Sequence, residues 1–256
     1  MNMEKAKIAV ITGGSRGLGK NMAQKLAANG TDVIITYNSN EEEAQKVVSE
    51  IEKSGRKAAA LKLNTSEMSS VSAFAEELKS VLNTVFGAQK FDFLINNAGV
   101  GLATPLGQTT ENDFDFLVNI HFKGVYFLTQ SLTEMINDAG RVIFLSTGLT
   151  RVSRNTGFSV YASVKGAIEV LTRYMAVDLG PRGISVNNVA PGAIETDFGG
   201  GAVRDDAQYN KMVADSTALG RAGLPDDIGG VVAFLCSKEG GWVNGQRIEV
   251  SGGMSL

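Results

Sequence analysis

Short apolar runs alternate with amphipathic stretches along the chain, and this alternation limits the fold more strongly than any other feature of the sequence. Ile8 to Ile11 form an apolar run typical of a strand, a glycine-rich turn follows, and Leu18 to Asn29 have helical spacing. Strands that regularly alternate with helices pair in parallel through right-handed crossovers. The sequence therefore predicts the α/β class, with a doubly wound parallel sheet of about seven strands and helices on both faces.

The later elements follow the same order. Strands are predicted at 33–35, 58–63, 91–95, 142–145, 184–189 and 247–250, and one long helix is predicted at 111–137. No linker, composition shift or low-complexity tract interrupts the 256 residues, so we expect one domain that spans 1–256.

Charge and composition exclude several classes of function. The chain has 24 basic and 27 acidic residues and a formal net charge of -3, so neither nucleic acid nor an anionic membrane surface is an expected partner. A single cysteine, Cys236, and a single histidine, His121, exclude a zinc site built on those ligands, and no metal is expected. Met1 to Lys7 show no signal-peptide pattern and no apolar run could span a membrane, which together predict a cytoplasmic protein.

The turn after the first strand carries glycines at positions suited to a nucleotide. Gly13 permits a tight turn, Gly17 allows the backbone to approach a pyrophosphate, and Gly19 allows close packing of helix and sheet. The spacing G-x-x-x-G-x-G differs from the strict dinucleotide pattern, and a plain tight loop is the alternative. Because the helix that follows faces the anion with its N-terminus, we predict cofactor contacts from Gly13, Ser15, Arg16, Gly17, Leu18 and Gly19.

The end of the second predicted strand bears on the choice of cofactor. Sites that prefer NAD usually carry an acid there for the ribose hydroxyls. Here the residues are Tyr37, Asn38 and Ser39, so no carboxylate repels a 2′-phosphate, and Arg16 can reach it. The sequence therefore favours NADP(H) over NAD(H), although Arg16 could instead be a solvated side chain of the loop.

Three further segments make the resemblance to a family specific. The chain reads Asn-Asn-Ala-Gly at 96–99, Tyr-Ala-Ser-Val-Lys at 161–165 and Pro-Gly-Ala-Ile-Glu-Thr at 191–196. Together with the glycine turn, and in this order, they resemble the short-chain dehydrogenase/reductase family over nearly the whole chain. The motif forms are similar to the branch of 3-oxoacyl reductases and glucose dehydrogenases. The resemblance implies a Rossmann fold and a nicotinamide cofactor.

Tyr161 and Lys165 are the predicted centre of the chemistry. They are four residues apart, so both side chains leave the same face of a helix. A tyrosine with the ordinary pKa of about 10 is a poor acid at neutral pH, and lowering it by roughly 3 units requires about 4 kcal/mol. A nearby ammonium and a cationic nicotinamide can supply this. The resemblance implies that Tyr161 exchanges a proton with the substrate oxygen, while Lys165 lowers its pKa and holds the nicotinamide ribose.

The hydroxyl that assists Tyr161 is left open by the sequence. The family's serine precedes the tyrosine by 13 positions, and Gly148 stands there in this chain. One extra residue between 151 and 159 would place Thr147 in that role, and its hydroxyl can donate the same hydrogen bond. Ser146 is the alternative, although strand alternation points it to the opposite side of the sheet.

The resemblance also implies roles for residues around this centre. Asn119 matches a helical asparagine that holds a water between the lysine and solvent, whereas His121, two residues away on another face, is interpreted as structural. A substrate lid is predicted at about 197–220, where three consecutive glycines suggest a hinge. Further cofactor contacts are implied for Asn64, Asn97, Ala98, Gly99, Pro191, Gly192, Ile194 and Thr196.

The predicted partners are a small carbonyl or alcohol substrate and further copies of the chain. The helix at 114–132 is apolar on more than one face, which indicates burial on both sides, together with Ala167, Val170 and Tyr174 of a later helix. The resemblance implies a homotetramer or homodimer.

The predicted activity is NADPH-dependent hydride transfer between nicotinamide and a carbonyl or alcohol carbon. Two alternatives remain at this point: an epimerase or dehydratase that uses the same tyrosine and lysine, and a non-catalytic regulator that senses NADP(H). Neither the substrate nor the direction of the reaction follows from the sequence.

Overall fold

One parallel sheet of seven strands organises the chain. The computed structural model describes residues 5–153 and 157–256, and its strands lie in the order β3-β2-β1-β4-β5-β6-β7. All six neighbouring pairs are parallel, which confirms the predicted doubly wound sheet. The strands are β1 (Ile8–Ile11), β2 (Asp32–Tyr37), β3 (Ala58–Lys62), β4 (Phe91–Asn96), β5 (Ile136–Leu145), β6 (Ser185–Pro191) and β7 (Arg247–Val250).

Helices cover both faces of the sheet and create two separate apolar cores. Helices α1, α2 and α9 enclose one core, and α3, α5 and α6 enclose the other. The chain order reverses between β1 and β4, and such a reversal opens a crevice at the carboxyl ends of the strands. The helices are α1 (Gly17–Ala28), α2 (Glu41–Lys53), α3 (Met68–Val81), α4 (Glu111–Val118), α5 (Gly124–Leu132), α6 (Ser159–Leu179), α7 (Ala202–Asp205), α8 (Ala207–Asp215) and α9 (Pro225–Cys236).

The prediction of one long helix at 111–137 is wrong in two respects. A π-helical segment at Asn119–Lys123 separates α4 from α5, and β5 already begins at Ile136, six residues before the predicted strand. The register between β4 and β5 shifts after the pair Phe91 and Ile136, and Ala139 within this shift has a φ of 59°. Local periodicity did not reveal this start, because it depends on pairing with β4.

Two predictions concern residues outside the described part of the chain. The extra residue expected between 151 and 159 falls in a segment that includes residues 154–156. The argument against a signal peptide used residues 1–4. Among the described residues, no helix is long and apolar enough to cross a bilayer.

The residue after the π-helical segment, Gly124, approaches the loop that follows β3 so closely that only glycine fits there. A methyl group there would overlap the carbonyl oxygen of Thr65, which belongs to the backbone and cannot swing away. This contact fixes the start of α5, and with it the π-helical segment, against the loop after β3.

We therefore expect Gly124→Ala to lower the free energy of unfolding by about 1–3 kcal/mol, the usual cost of overpacking. Urea denaturation measures this change. Gly230→Ala is the matched control, because Gly230 is an exposed position of α9 where an added methyl group meets no atom within 4 Å. This substitution should stabilise the protein by about 0.5–1 kcal/mol, since alanine favours the helix more than glycine does. Equal effects of both substitutions would contradict the proposed contact.

Candidate active site

The glycine turn between β1 and α1 has the geometry that its glycines predicted. Gly13 and Gly17 adopt left-handed conformations with φ of 64° and 53°, which favour glycine. A methyl group at Gly19 would overlap the carbonyl oxygen of Gly13, so close packing excludes any other residue there. The turn is joined to β2 by a hydrogen bond from the Gly13 amide to the Thr36 hydroxyl at 3.1 Å.

Asn97, which follows β4, holds this turn from the neighbouring strand. Its side-chain amide donates to the carbonyl oxygens of Thr12 and Gly13 at 2.8 and 3.0 Å. The Thr12 hydroxyl in turn accepts from the backbone amides of Asn97 and Ala98, both at 2.9 Å. The side chain of Asn97 therefore supports the turn, while any cofactor contact of the 97–99 segment would come from its backbone.

The N-terminus of α1 fits an anionic group. No side chain caps this helix, and its first turn contains no acidic residue, so its amides lack a partner from a capping residue or carboxylate. Arg16 occupies the N-cap position with an extended backbone and an exposed side chain, and Leu18 lies in the first turn. Thr196 packs within 4 Å of where a side chain on Gly17 would lie, which brings the 191–196 segment to the same turn.

A cavity of about 650 Å³ lies at the carboxyl ends of β2 and β3 and contains three predicted cofactor contacts, Asn38, Ser39 and Asn64. The side-chain oxygen of Asn64, Oδ1, already accepts hydrogen bonds from the backbone amide and the hydroxyl of Ser66. Tyr37 at the end of β2 is not among the residues that line the cavity. Burial and a hydrogen bond to Glu41 raise the pKa of Tyr37, so this phenol remains un-ionised.

The segment after β6 completes the crevice on the other side. Pro191 pairs with Val250 of β7, and the Gly192 amide donates to the Val250 carbonyl at 3.0 Å. Ile194 forms an isolated bridge with Gly223, and the Thr196 hydroxyl accepts from the Phe198 amide at 3.2 Å. These contacts, all but the last formed between backbone groups, fix the segment beside the glycine turn. The residues present thus fit a dinucleotide whose phosphates meet α1.

Tyr161 and Lys165 both lie on the buried face of α6, each about 6% exposed. The Lys165 ammonium donates to the Leu145 carbonyl at the end of β5, at 2.7 Å, and lies 5.9 Å from the centre of the Tyr161 ring. The predicted pair is therefore brought together at the carboxyl end of β5, with the ammonium facing the backbone of that strand.

Burial dominates the ionisation of both groups. It raises the pKa of Tyr161, and only a hydrogen bond with Thr147 acts in the opposite direction. In the protein alone burial outweighs the effect of Thr147, and the acidic phenol attributed to an ammonium together with a cationic nicotinamide stays a prediction. Burial also lowers the pKa of Lys165 to about 8, which leaves the ammonium protonated at neutral pH.

The acidic residue one helical turn after Lys165 forms an ion pair with a different residue. Glu169 lies four residues further along the same face of α6, yet the described residues show no ion pair between them. Instead, the Glu169 carboxylate accepts from Arg247 of β7 at 2.7 Å, and Arg247 also contacts Glu249. Arg151 binds the other side of Glu249, so a chain of four charges links α6, β7 and the turn after β5. Lys165 consequently keeps its positive charge without a carboxylate.

This network separates the two candidate hydroxyls. The Ser146 hydroxyl donates to Glu169 at 2.7 Å, whereas the Thr147 hydroxyl accepts from the Leu149 amide at 3.3 Å and acts to lower the pKa of Tyr161 against the effect of burial. The two hydroxyls therefore have different partners. Thr150 also donates to Glu169 at 2.7 Å, and this bond secures the turn that presents Thr147.

Asn119 and His121 of the π-helical segment differ in what they contact, and the water-holding role implied for Asn119 stays a prediction. The Asn119 carbonyl accepts the Gly124 amide within the π-helical segment, and the described residues show no hydrogen bond from its side chain to Tyr161 or Lys165. His121 is 1% exposed, and its ring meets the Tyr161 ring edge to face with 5.1 Å between the centres. The geometry thus favours His121 over Asn119 as the neighbour of Tyr161 from this segment.

Two aromatic side chains lie beside Tyr161, and no motif in the sequence marks them. Phe158 and Phe198 lie with ring centres 6.2 and 6.1 Å from the Tyr161 ring. Phe198 belongs to the predicted lid and also packs over Gly101, where a methyl group would lie 2.8 Å from its ring. Their positions relative to Tyr161 depend on tertiary packing, which the sequence does not show. The one available signal was that Phe198 directly precedes the three glycines of the predicted hinge.

A doubly wound sheet with a phosphate-binding turn and a buried tyrosine and lysine beside its crevice defines a class of protein, the dinucleotide-dependent oxidoreductases. A protein-family model described as enoyl-(acyl carrier protein) reductase matches residues 13–255. The hydroxynaphthalene reductase-like protein of Metarhizium brunneum is 36% identical over 258 residues, which cover 96% of this chain and 94% of the relative. Trihydroxynaphthalene reductase of Pestalotiopsis fici is 36% identical and covers 96% of this chain and 88% of its own.

Solved structures agree with these relatives. A blue fluorescent protein from a metagenomic library, in complex with NADPH, has a TM-score of 0.88 and 36% identity over 98% of both chains. The angucycline C-6 ketoreductase LanV with bound NADP has a TM-score of 0.92 and 34% identity, over 98% of this chain and 96% of its own. The chain belongs to the short-chain dehydrogenase/reductase family and is an NAD(P)-dependent oxidoreductase. The family prediction is confirmed, and the predicted branch within it stays a prediction.

Proposed function

We propose that this protein reduces the carbonyl group of a small molecule with NADPH, and that Tyr161 is its general acid. The observation that carries the proposal is the buried Tyr161 side chain, whose ring centre lies 5.9 Å from the equally buried ammonium of Lys165. The glycine turn and the 191–196 segment support cofactor binding at the same crevice.

Each residue of this centre has a definite task in the proposal. When bound, the nicotinamide supplies the hydride to the carbonyl carbon. Thr147 donates a hydrogen bond to the carbonyl oxygen, and Tyr161 transfers its proton to that oxygen. The phenolate left behind is disfavoured by burial, so the positive charge of Lys165 is needed to stabilise it. Ser146 supports Thr147 through Glu169 rather than by contact with the substrate.

Replacing Tyr161 by Phe tests the assignment. Loss of the proton donor should lower kcat by about 10²–10⁴-fold, the usual contribution of a general acid. The Kd for NADPH, measured by fluorescence, should change little, because the ring and its packing remain. Unchanged turnover would defeat the assignment, and NADPH binding without turnover by the wild type across a carbonyl panel would favour a sensor.

NADP(H) is the proposed cofactor. Two solved relatives are complexes with NADPH or NADP, and a Burkholderia cenocepacia short-chain dehydrogenase with NADP is 36% identical to this chain. In this chain, the exposed Arg16 at the start of α1 and the uncharged Asn38 and Ser39 favour a 2′-phosphate over a ribose hydroxyl.

We therefore expect Arg16→Ala to weaken NADPH binding by about tenfold, the loss of one charge-assisted contact, and to leave NADH binding unchanged. Isothermal titration with both cofactors measures the difference. Arg173→Ala, at an exposed position of α6 away from the crevice, is the control. A parallel loss for NADH would show that Arg16 supports the turn rather than the phosphate.

The proposed substrate carries an aromatic ring beside its carbonyl. Phe158 and Phe198 offer ring faces next to Tyr161, and offset or edge-to-face contacts stabilise aromatic ligands. The names of three compared proteins refer to hydroxynaphthalene, trihydroxynaphthalene or angucycline reduction. The proposed lid at about 197–220 includes Phe198, which is followed by Gly199, Gly200 and Gly201, all left-handed.

A homotetramer or homodimer that acts in the cytoplasm completes the proposal. One face of α4, α5 and α6 exposes a set of large apolar side chains, and a second copy of the same surface would cover them. The exposed members are Phe116, Tyr126, Phe127, Val170, Tyr174 and Val177.

Light scattering should then give a mass that is a multiple of the single chain, and Tyr174→Glu should reduce it, because a buried unpaired carboxylate opposes association. Tyr174 is 69% exposed in the single chain, so the substitution is compatible with folding. Ser49→Glu on exposed α2 is the matched control and should keep the wild-type mass. A monomeric wild type would contradict the proposed assembly.

A further inference from the structure

His121 is the only histidine in the chain, and the proposed mechanism leaves it without a task. It lies at the centre of the π-helical segment between α4 and α5, and its ring is almost completely buried. Single π-helical turns inside helices occur frequently at functional sites, because they redirect one side chain out of the regular pattern. Here the redirected side chain meets Tyr161.

The contacts of the imidazole determine its tautomer. Nε2 lies 2.8 Å from the carbonyl oxygen of Val100 and 3.4 Å from the Val100 amide nitrogen. Because the much shorter contact is to an oxygen that can only accept, Nε2 carries the proton. Burial, together with the charge of Lys165, lowers the pKa of His121 to about 3, so the ring is neutral. Nδ1 consequently has a free lone pair and no proton.

This Nδ1 atom is buried and has no hydrogen-bond partner among the described residues. The edge of the ring that carries it packs against Gly99, where a methyl group would lie 2.6 Å from Cε1 and 3.1 Å from Nδ1. A buried acceptor without a partner is costly and is uncommon in folded proteins. The arrangement therefore points to a donor that reaches Nδ1 in the working enzyme.

Lys165 is the donor that the site offers. Its ammonium has three N–H groups, of which the described contacts use one, toward Leu145. Its charge acts on the imidazole, and both groups lie beside Tyr161, the third titratable group here: the centre of the Tyr161 ring is 5.9 Å from the Lys165 ammonium and 5.1 Å from the centre of the His121 ring. An acceptor beside the Tyr161 ring would draw the ammonium away from the strand and toward the phenol.

We propose that His121 is a positioning residue for the Tyr161 and Lys165 pair: its Nδ1 accepts a hydrogen bond from the Lys165 ammonium, directly or through one water, and holds that charge beside the phenol. This inference rests on the proposed function, in which the Lys165 charge stabilises the Tyr161 phenolate. His121 takes no part in the transfer of hydride or proton.

Three substitutions separate the possible contributions of the side chain. His121→Asn keeps a polar acceptor near the position of Nδ1 and loses the anchor on Val100. His121→Gln keeps a donor near the position of Nε2 and loses the acceptor, and His121→Phe keeps only the ring. Lys123→Gln, at an exposed position in the same π-helical segment, is the control for the segment itself.

For carbonyl reduction with NADPH, we expect His121→Asn to stay within about threefold of wild-type kcat, and Gln and Phe to lose about tenfold or more. The apparent pKa of the Tyr161 acid in the pH profile of kcat should rise in the Gln and Phe variants, while the KM for NADPH stays unchanged. Wild-type kcat in the Phe variant would overturn the proposal, because ring packing would then suffice. Wild-type kcat in the Gln variant with loss in Asn would overturn it as well.

A second readout does not depend on turnover. Because the chain has one histidine, ¹⁵N-histidine labelling gives signals from His121 alone in the full-length protein. We expect an Nε2–H tautomer, and an Nδ1 resonance that Lys165→Met shifts toward that of a free acceptor. An Nδ1 resonance that Lys165→Met leaves unchanged, in the presence and absence of NADP⁺, would overturn the proposal. If the wild type reduces no carbonyl, the proposed function fails, while this experiment still decides the contact.

Discussion

A buried ammonium without a carboxylate partner is the constraint on which the active site depends. Lys165 is almost fully enclosed, and its described hydrogen bond goes to a backbone carbonyl, so its charge is not neutralised. Glu169, one turn away, would be the natural counter-ion, but Arg247 binds it. The protein therefore keeps a positive charge in a weakly screened place, where it acts strongly on the phenol of Tyr161.

The same network explains why the turn after β5 is well defined. Glu169 accepts hydrogen bonds from Ser146, Thr150 and Arg247, and Arg247 also forms an ion pair with Glu249 in the edge strand β7. The Ser146 hydroxyl is thus bound by Glu169, and the Thr147 hydroxyl is not. Glu169, 23 positions after Ser146 in the sequence, therefore decides which of the two hydroxyls can meet a substrate.

Much of the fold could be predicted because it repeats a local pattern. The alternation of apolar runs and amphipathic stretches predicted the parallel sheet, and the glycines of the first turn predicted its left-handed residues. The prediction failed between α4 and β5, where Asn119–Lys123 is π-helical and β5 begins at Ile136. In both places long-range contacts, such as that of Gly124 with Thr65, override the local preference.

By itself, the sequence determined the fold class, the crevice and the Tyr161 and Lys165 pair, because glycine conformations and helical spacing are local properties of the chain. Only the tertiary structure decided which neighbours surround that pair. It brought His121 against the Tyr161 ring, bound Ser146 to Glu169, and placed Phe158 and Phe198 beside Tyr161. These choices depend on the packing of segments far apart in the chain, which local periodicity does not encode.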